Sequence, residues 1–448
     1  MADKLFGTDG IRGIAGHFPL NVDFCLKLAT VLAQKICTNK KRVAIARDTR
    51  ISGTMLQSAL SAGFTAQGVN VLDLGIIPTP LCTTLTPQLN VDMSIMITAS
   101  HNPYQDNGLK LITATGDKFS DSQTDELEKA IQFPDNQNNP ERIGTVTPVA
   151  AGLNNYLQTI SAIAPANALK GLKIVLDAAN GAFSYILAPV FKHLGAEIIS
   201  LSDQPNGYNI NENCGSQHTE NLSKSVKENC YDFGIAVDGD GDRIILSDEN
   251  GNRMNGDQII AFLATYLQKH QLLKGNGVVA TIYSNLGLGK YIRSLGLEFY
   301  ATPVGERHVI VKMQQSGCNL GGEESGHMVL SDYSLTGDAL IAAVILSLAI
   351  KEDGRKVSTI FPIFKPFPSS SHNLRFADKN IIEKIMSATD VQEIIKKVQH
   401  NLEGHGTVLV RKSGTEPVIR LKVEDEDESL AQKCAAEIID CINKISPD

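Results

Sequence analysis

Asp238, Asp240 and Asp242 of the segment DGDGDR stand at alternate positions, separated by Gly239 and Gly241. Carboxylates at this spacing, on a backbone that glycine leaves free to curl, can converge hard oxygen ligands on one divalent cation. An EF-hand is the rival geometry, since the aspartates fill its positions 1, 3 and 5 and Glu249 its position 12. Arg243, however, stands where the calcium loop requires glycine, and the flanks FGIAV and IILSD read as strands where an EF-hand needs helices. A solvated acidic turn is the third option, and alternate aspartates around glycines serve a turn poorly except as ligands.

A second cluster, TASHNP (98–103), sets Ser100 beside His101 directly after an apolar run, without the Gly-x-Ser-x-Gly elbow of an α/β-hydrolase. Alone it reads as a turn with a helix cap. In the company of a metal loop, Ser100 becomes a candidate phosphoryl carrier, because a divalent cation neutralises the charge of a serine phosphate. Lys110 of the downstream NGLK adds a cation that, if buried, can give or take a proton. GEESGH (322–327) offers Glu323, Glu324, Ser325 and His327, a set suited to gripping sugar hydroxyls, although a surface acidic loop has the same composition. RKSGTEPVIR (411–420) gathers Arg411, Arg420, the hydroxyls of Ser413 and Thr415 and the amides around Gly414 into a phosphate cradle. It is not a P-loop, and GNGVVA (275–280) is a weak dinucleotide fingerprint because its glycines precede the strand.

One plan of elements, met three times, would position these clusters: strand, helix, strand, helix, strand. The first copy is RVAIARD (42–48), a helix over 54–67, VNVLDLG (69–75), a segment after Pro78, and MSIMITAS (93–100). The second is LKIVLDAANG (172–181), a helix to Leu194, AEIISLSD (196–203), a helix over 221–229, and FGIAVDGDGD (233–242). The third is GVVATIY (277–283), a helix to Leu295, LEFYATPVG (297–305), a helix over 306–315, and NLGGEESGH (319–327). Such alternation predicts mostly parallel sheets, which bind ligands at the carboxyl ends of their strands. TASHNP, DGDGDR and GEESGH each follow the third strand of their copy. After the proline-rich FPIFKPFPSSS (361–371) the plan changes to a strand at 372–376, helices through Asn401, strands flanking RKSGTEP and a helix over 428–444. A polar linker is expected at 134–144, and four domains follow, at 1–150, 151–255, 256–367 and 368–448.

With 448 residues, 42% of them hydrophobic and 20% charged, the chain has ample material for several cores and is not disordered. A net charge of −8 argues against nucleic acid or an anionic membrane as partner, so phosphate binding must be local. The eight cysteines form no Cys-x-x-Cys pair and read as reduced thiols of a cytosolic protein. The start MADKLFGTDG lacks the apolar core of a secretory signal, and the apolar run 339–350 is too short to span a bilayer and reads as a buried helix.

Taken together, these motifs resemble the α-D-phosphohexomutase superfamily along the whole chain. FGTDGIRG (6–13), TASHNPYQDNGLK (98–110), VLDAANGA (175–182), INENCGS (210–216) and RKSGTEP (411–417) carry the likeness. They are most similar to the bacterial branch that works on glucosamine phosphates, whose sugar loop usually reads GEQSGH; here Glu324 replaces the glutamine. The resemblance implies an α/β fold of three similar α/β domains with mixed, mostly parallel sheets plus a C-terminal α+β domain, around a central cleft whose last domain swings. It implies that Ser100 is a phosphoserine and that Mg2+ is bound by Asp238, Asp240, Asp242 and the phosphate on Ser100. Arg12, His101, Lys110 and Arg243 would serve the reacting phosphate, with Lys110 as general acid/base. Glu323, Ser325 and His327 would read the sugar, and Arg411, Ser413, Gly414, Thr415 and Arg420 would hold the other phosphate.

The implied reaction interconverts glucosamine 6-phosphate and glucosamine 1-phosphate through a bisphosphate that turns end over end, feeding UDP-N-acetylglucosamine synthesis. The implied setting is the cytoplasm, with no nucleic-acid or membrane partner, as monomer or homodimer. A phosphoglucomutase or phosphomannomutase, a Mg-dependent sugar phosphatase and a non-catalytic sugar-phosphate binder are the alternatives.

Overall fold

A computed structural model describes residues 5–7, 9–132, 142–412 and 417–445. The expected linker falls largely outside them, as do Ser413, Gly414 and Thr415. The chain forms two compact units: Met1–Thr281 with Tyr300–Ile363, and Ile282–Phe299 with Phe364–Asp448.

Three mixed sheets build the first unit. In the first, Arg42–Arg47 pairs in parallel with both Asn70–Ile76 and Met93–Ile97, and Val146–Pro148 extends the edge. Met93–Ile97 is buried along its whole length, as suits a strand covered on both faces whose one polar residue, Ser94, accepts the Thr86 hydroxyl at 2.7 Å. In the second sheet Lys173–Asp177 lies in parallel between Glu197–Leu201 and Phe233–Val237. In the third, Gly277–Thr281 pairs in parallel with Leu320–Gly322, and Glu298–Thr302 takes the edge.

The three repeats share one further feature, only part of which the strand pattern marks. After its third strand each copy turns back into an antiparallel strand: Met93–Ile97 into Asp106–Thr113, Phe233–Val237 into Ile244–Asp248, and Leu320–Gly322 into Met328–Leu330. TASHNP, DGDGDR and GEESGH are therefore the connections of three equivalent hairpins. A first strand, Ile11–Ile14, adds to Asp106–Thr113 and pairs Arg12 with Gly108.

The apolar run is the helix Ala339–Asp353, buried nearly all round, where each fully buried Leu, Ile or Val contributes about 1.5–3 kcal/mol. Asp338 caps it by accepting the Leu340 and Ile341 N–H groups at 3.0 Å each, and Gly354 in the left-handed region ends it. No helix among the described residues is long and apolar enough to cross a membrane.

The second unit is α+β. Its antiparallel sheet runs Ser369–Arg375, Val418–Asp425, Gly406–Lys412, the first strand starting ahead of the expected His372. Ile385, Val398, Ile419, Leu421, Val423 and Ile438 share its core with the helices Lys379–Ser387, Thr389–Asn401 and Glu428–Ile445. Helix Leu286–Ser294 of the third repeat belongs here as well. Glu424 accepts the Leu286 N–H and the Asn285 side-chain amide at 3.0 Å each.

Gly326 shows how tightly the hairpin tips meet. Its carbonyl accepts the Ile244 N–H at 2.9 Å, its φ is +95°, and a Cβ there would stand 2.2 Å from the Ile244 carbonyl oxygen. Gly171 has nearly the same φ, +96°, and open space around it. We expect Gly171→Ala to cost about 1 kcal/mol of backbone strain, and Gly326→Ala to add about 1–3 kcal/mol of overpacking. Urea-unfolding midpoints of the two variants test this; equal losses would mean that the tips have room to part.

Candidate active site

Ser100 is buried and left-handed, with φ +52°, an uncommon state for a residue with a Cβ that its surroundings must hold. The Thr98 hydroxyl accepts its N–H at 2.9 Å, and its carbonyl accepts Arg50 Nη2 at 3.0 Å and Asn211 Nδ2 at 2.8 Å. Arg50 is itself fully buried, ion-paired to Asp48 at 2.9 Å, and also donates to the carbonyls of Asn102, Pro103 and Asp106. Asp48 in turn accepts the Thr98 hydroxyl at 2.7 Å. One buried guanidinium thus fixes the path of the whole TASHNP turn. So braced, Ser100 donates from Oγ to Asp238 Oδ2 at 2.7 Å, and His101 Nδ1 lies 3.4 Å from the same Oγ.

Asp238, Asp240 and Asp242 are buried, and each offers an oxygen within 4.8 Å of the others'. Asp238 spends both oxygens on the protein, Oδ2 on Ser100, and Asp240 and Asp242 spend one each. Asp238 Oδ1 accepts the N–H groups of Gly241, Asp242 and Arg243 at 3.1–3.2 Å. Asp240 Oδ2 accepts the Thr79 hydroxyl at 2.5 Å and Lys110 Nζ at 2.7 Å, and Asp242 Oδ2 accepts Lys110 Nζ at 3.1 Å. Asp240 Oδ1 and Asp242 Oδ1 are buried without a hydrogen-bond partner. Buried carboxylate oxygens are not left so without a reason, and beside Asp238 Oδ2 they form the donor set a hard divalent cation takes. The triad fits a metal.

Burial and the charges of Asp242 and Asp240 raise the Asp238 pKa well above the usual carboxylate range. Burial also acts to raise Asp242, but Lys110, His327 and Arg243 outweigh it and hold that carboxyl well below. Lys110 is almost fully buried, which alone would lower its pKa; Asp240, Asp9 and Asp242 reverse the effect and keep it an ammonium. Arg243 Nε stands 3.7 Å from Asp242 and 4.0 Å from Asp238. Arg12 donates to Asp9 Oδ2 at 2.8 Å, and the same oxygen lies 3.2 Å from Lys110 Nζ.

The GEESGH turn reaches this cluster through backbone pairing of Arg243 with His327. His327 Nδ1 lies 3.9 Å from Asp242 Oδ1, and Nε2 lies 2.9 Å from Glu306 Oε1, an ion-pair contact off the line of a hydrogen bond. Glu323 accepts the Gly305 N–H at 3.0 Å. Glu324 and Ser325 are half-buried on the turn, and the Glu324 carbonyl accepts the Gly256 N–H at 3.0 Å. The first unit thus assembles Ser100, His101, Lys110, Arg12, the aspartates, Arg243, Glu323 and His327. Asp9, Arg50, Lys118 and Glu306 join them although no motif chemistry marks their side chains.

Arg411 and Arg420 lie in the second unit, directly opposite each other on adjacent strands. Like charges so placed repel, which suits an anion between them. The Arg411 guanidinium lies 4.9 Å over the Tyr283 ring, a cation–π support that the cradle motif does not contain.

Family models of phosphoglucomutase/phosphomannomutase match the chain in order: alpha/beta/alpha domain I over 3–138, domain II over 154–251, domain III over 255–367 and the C-terminal domain over 372–441. The phosphoglucosamine mutase of Zymomonas mobilis is 40% identical over 447 residues, 99% of this chain and all of that one. That of Rhodospirillum centenum is 41% identical over 449 residues, covering 98% of this chain and 95% of its own. Among solved structures, a phosphoglucomutase/phosphomannomutase family protein of Burkholderia thailandensis superposes with a TM-score of 0.81 at 23% identity, covering 100% of this chain and 98% of its own. That likeness shows a shared fold.

Two histidines at one site are expected in opposite charge states. Burial, then Arg243 and Arg12, push the His101 pKa down from 6.5 to about 3. Burial acts to lower His327 too, but Glu306 and Asp242 lift it to about 10. The stability that His101 lends is full above pH 6.5 and lost as the pH falls toward 3, whereas that of His327 is full below pH 6.5 and lost as the pH rises through 10. In metal-stripped protein labelled with 15N-histidine, NMR at neutral pH should show His101 as neutral imidazole and His327 as imidazolium. A neutral His327 would mean that burial outweighs its two carboxylates.

Proposed function

The chain belongs to the phosphoglucomutase/phosphomannomutase family, and on that footing we propose that it is a phosphoglucosamine mutase, interconverting glucosamine 6-phosphate and glucosamine 1-phosphate. The observation that carries the reading is Ser100 Oγ at 2.7 Å from one carboxylate of a buried triad that still has unpartnered oxygens. A phosphorylated serine and its neutralising cation both have a place there. The choice of sugar rests on relatives named phosphoglucosamine mutase at about 40% identity over nearly the full chain.

Asp238, Asp240 and Asp242 would hold Mg2+ with the phosphate of Ser100. A magnesium complex of the same fold is known for N-acetylphosphoglucosamine mutase of Aspergillus fumigatus, with GlcNAc-6P bound, at 19% identity and a TM-score of 0.63 over 95% of this chain and 86% of its own. When bound, the ion would offset charge on the phosphoryl oxygens.

The rest falls to the side chains. The bond from Ser100 Oγ to phosphorus breaks as one from a sugar oxygen forms, and the return transfer reverses this at the other end of the sugar. The accepting hydroxyl loses its proton in each transfer and the released one regains it. Lys110 exchanges that proton, as an ammonium when it donates. Arg12 and Arg243 offer positive charge to the phosphoryl oxygens, which is where such transfers are accelerated. His101, neutral and 3.4 Å from Ser100 Oγ, orients that hydroxyl. Glu323, Ser325 and His327 meet the sugar, and Arg411, Arg420, Ser413, Thr415 and the Gly414 amide hold the phosphate that is not reacting. The segments 1–150, 151–255, 256–367 and 368–448 are the four domains that carry these parts.

Intact-mass measurement should find one phosphate on the purified protein and none on Ser100→Ala, which should retain its fold and lose turnover. Near-parental mutase activity in Ser100→Ala would remove the serine from the mechanism. Glu324 gives a second test, since a carboxylate near the sugar's second carbon attracts an ammonium more than an amide does. Glu324→Gln should lower kcat/KM for glucosamine 6-phosphate relative to glucose 6-phosphate by several-fold, about 1 kcal/mol of discrimination. An unchanged ratio takes Glu324 out of substrate selection, and a parent that prefers glucose 6-phosphate overturns the choice of sugar.

A further inference from the structure

Three charged side chains packed beside the aspartates have no part in the chemistry above: Asp9, Lys118 and Glu306. They complete a closed ring of alternating charge. Lys110 meets Asp9 at 3.2 Å, Asp9 meets Lys118, Lys118 meets Glu306, Glu306 meets His327 at 2.9 Å, His327 faces Asp242 at 3.9 Å, and Asp242 returns to Lys110 at 3.1 Å. The ring draws on all three repeats of the first unit.

Within it, Glu306 is the most constrained member. It opens the helix Glu306–Ser316 and is buried. Its Oε1 accepts the Gly337 N–H at 3.1 Å and the Thr336 hydroxyl, and its Oε2 pairs with Lys118. So fixed, it stands against Nε2 of His327. Gly337 closes on the same nitrogen, since a Cβ there would be 2.4 Å from His327 Nε2. The preceding residue, Gly305, gives its N–H to Glu323 at 3.0 Å. The first residues of one helix therefore hold both a carboxylate and an imidazole of the GEESGH turn.

We infer that the start of helix Glu306–Ser316 sets the geometry of the sugar loop, with Glu306 a positioning residue that acts on the reaction through His327 and is backed by Lys118. This rests on the reading of His327 as a substrate contact, and the experiment separates the two. The rival view is a buried ion pair that only stabilises the fold.

On the full-length protein with Mg2+, kcat and KM for glucosamine 6-phosphate would be measured for Glu306→Gln, His327→Asn and their combination. Loss of a charge-assisted contact predicts that Glu306→Gln lowers kcat roughly tenfold or more in the parent, and by less than about twofold once His327 is asparagine, because two residues acting as one unit are not additive. An equal loss with and without His327 overturns the inference. A parental kcat in His327→Asn overturns the underlying reading instead. Should Glu306→Gln fail to fold, with Lys118 keeping only Asp9 as its partner, the variant Lys118→Met/Glu306→Gln removes both charges. It should fold and still show the reduced kcat, and parental turnover in it would equally overturn the inference.

Discussion

Three carboxylates with oxygens within 4.8 Å of one another, all buried, repel strongly in a medium that screens them little. Everything around Asp238, Asp240 and Asp242 answers that repulsion. Lys110 is drawn to two of them at once, Arg243 sits beside two, His327 faces one, and three backbone N–H groups converge on Asp238. These groups come from different repeats, so the charge can be compensated only when three sheets present their hairpin ends to the same place. Fold and site are in this sense one requirement.

Hairpins suit that requirement better than open parallel strands. A parallel strand that ends in a crossover helix sends the chain away, whereas an antiparallel return pins both sides of the turn by ladder hydrogen bonds. Ile97 pairs with Leu109, Val237 with Ile244 and Gly322 with Met328, so each functional turn begins and ends at a fixed distance from its sheet. Lys110 gains from this directly, because it sits on the return strand and is carried back beside the loop that Ser100 begins. The remaining tolerance is taken up by buried polar braces, of which Arg50 with its four carbonyl partners is the fullest.

The sequence was most legible where a polar cluster interrupts an apolar strand, as at Ala99–Ser100 and Val237–Asp238, because such residues have no place in a core and must serve something else. The buried helix Ala339–Asp353 was legible for the opposite reason, as a run with no polar face. Asp106–Thr113 was not, since DNG opens it as a turn would and Lys110 interrupts its apolar pattern. Nothing local distinguishes Glu306 from an ordinary acid in a first helical turn, where the helix dipole favours one anyway. Lys118 and Arg50 carry no local mark of burial for the same kind of reason: burial of a charge depends on partners distant in sequence, here Glu306, Asp9, Asp48 and the TASHNP carbonyls. The membership of helix Leu286–Ser294 in the second unit likewise depends on Glu424, which no local periodicity foretells.

The charge count around the aspartates supports the proposal of a metal and a serine phosphate together. With Asp238 ionised, as a cation ligand must be, Asp9, Asp238, Asp240, Asp242 and Glu306 supply five negative charges; Arg12, Lys110, Lys118, Arg243 and a protonated His327 supply five positive ones. A divalent cation alone would unbalance a buried cluster by two charges, and a serine phosphate alone, at about −1.5 to −2, would unbalance it the other way. Together they leave it close to neutral. The same arithmetic favours a sugar phosphate that gives and receives its phosphoryl group without either charge leaving the site, because a site balanced for a phosphate and its counter-ion is poorly balanced for the serine once phosphate is lost to water. On the proposed reading, a charge set of this kind favours transfer over release, and apart from His327 and Lys110 it does so through residues that do not meet the sugar.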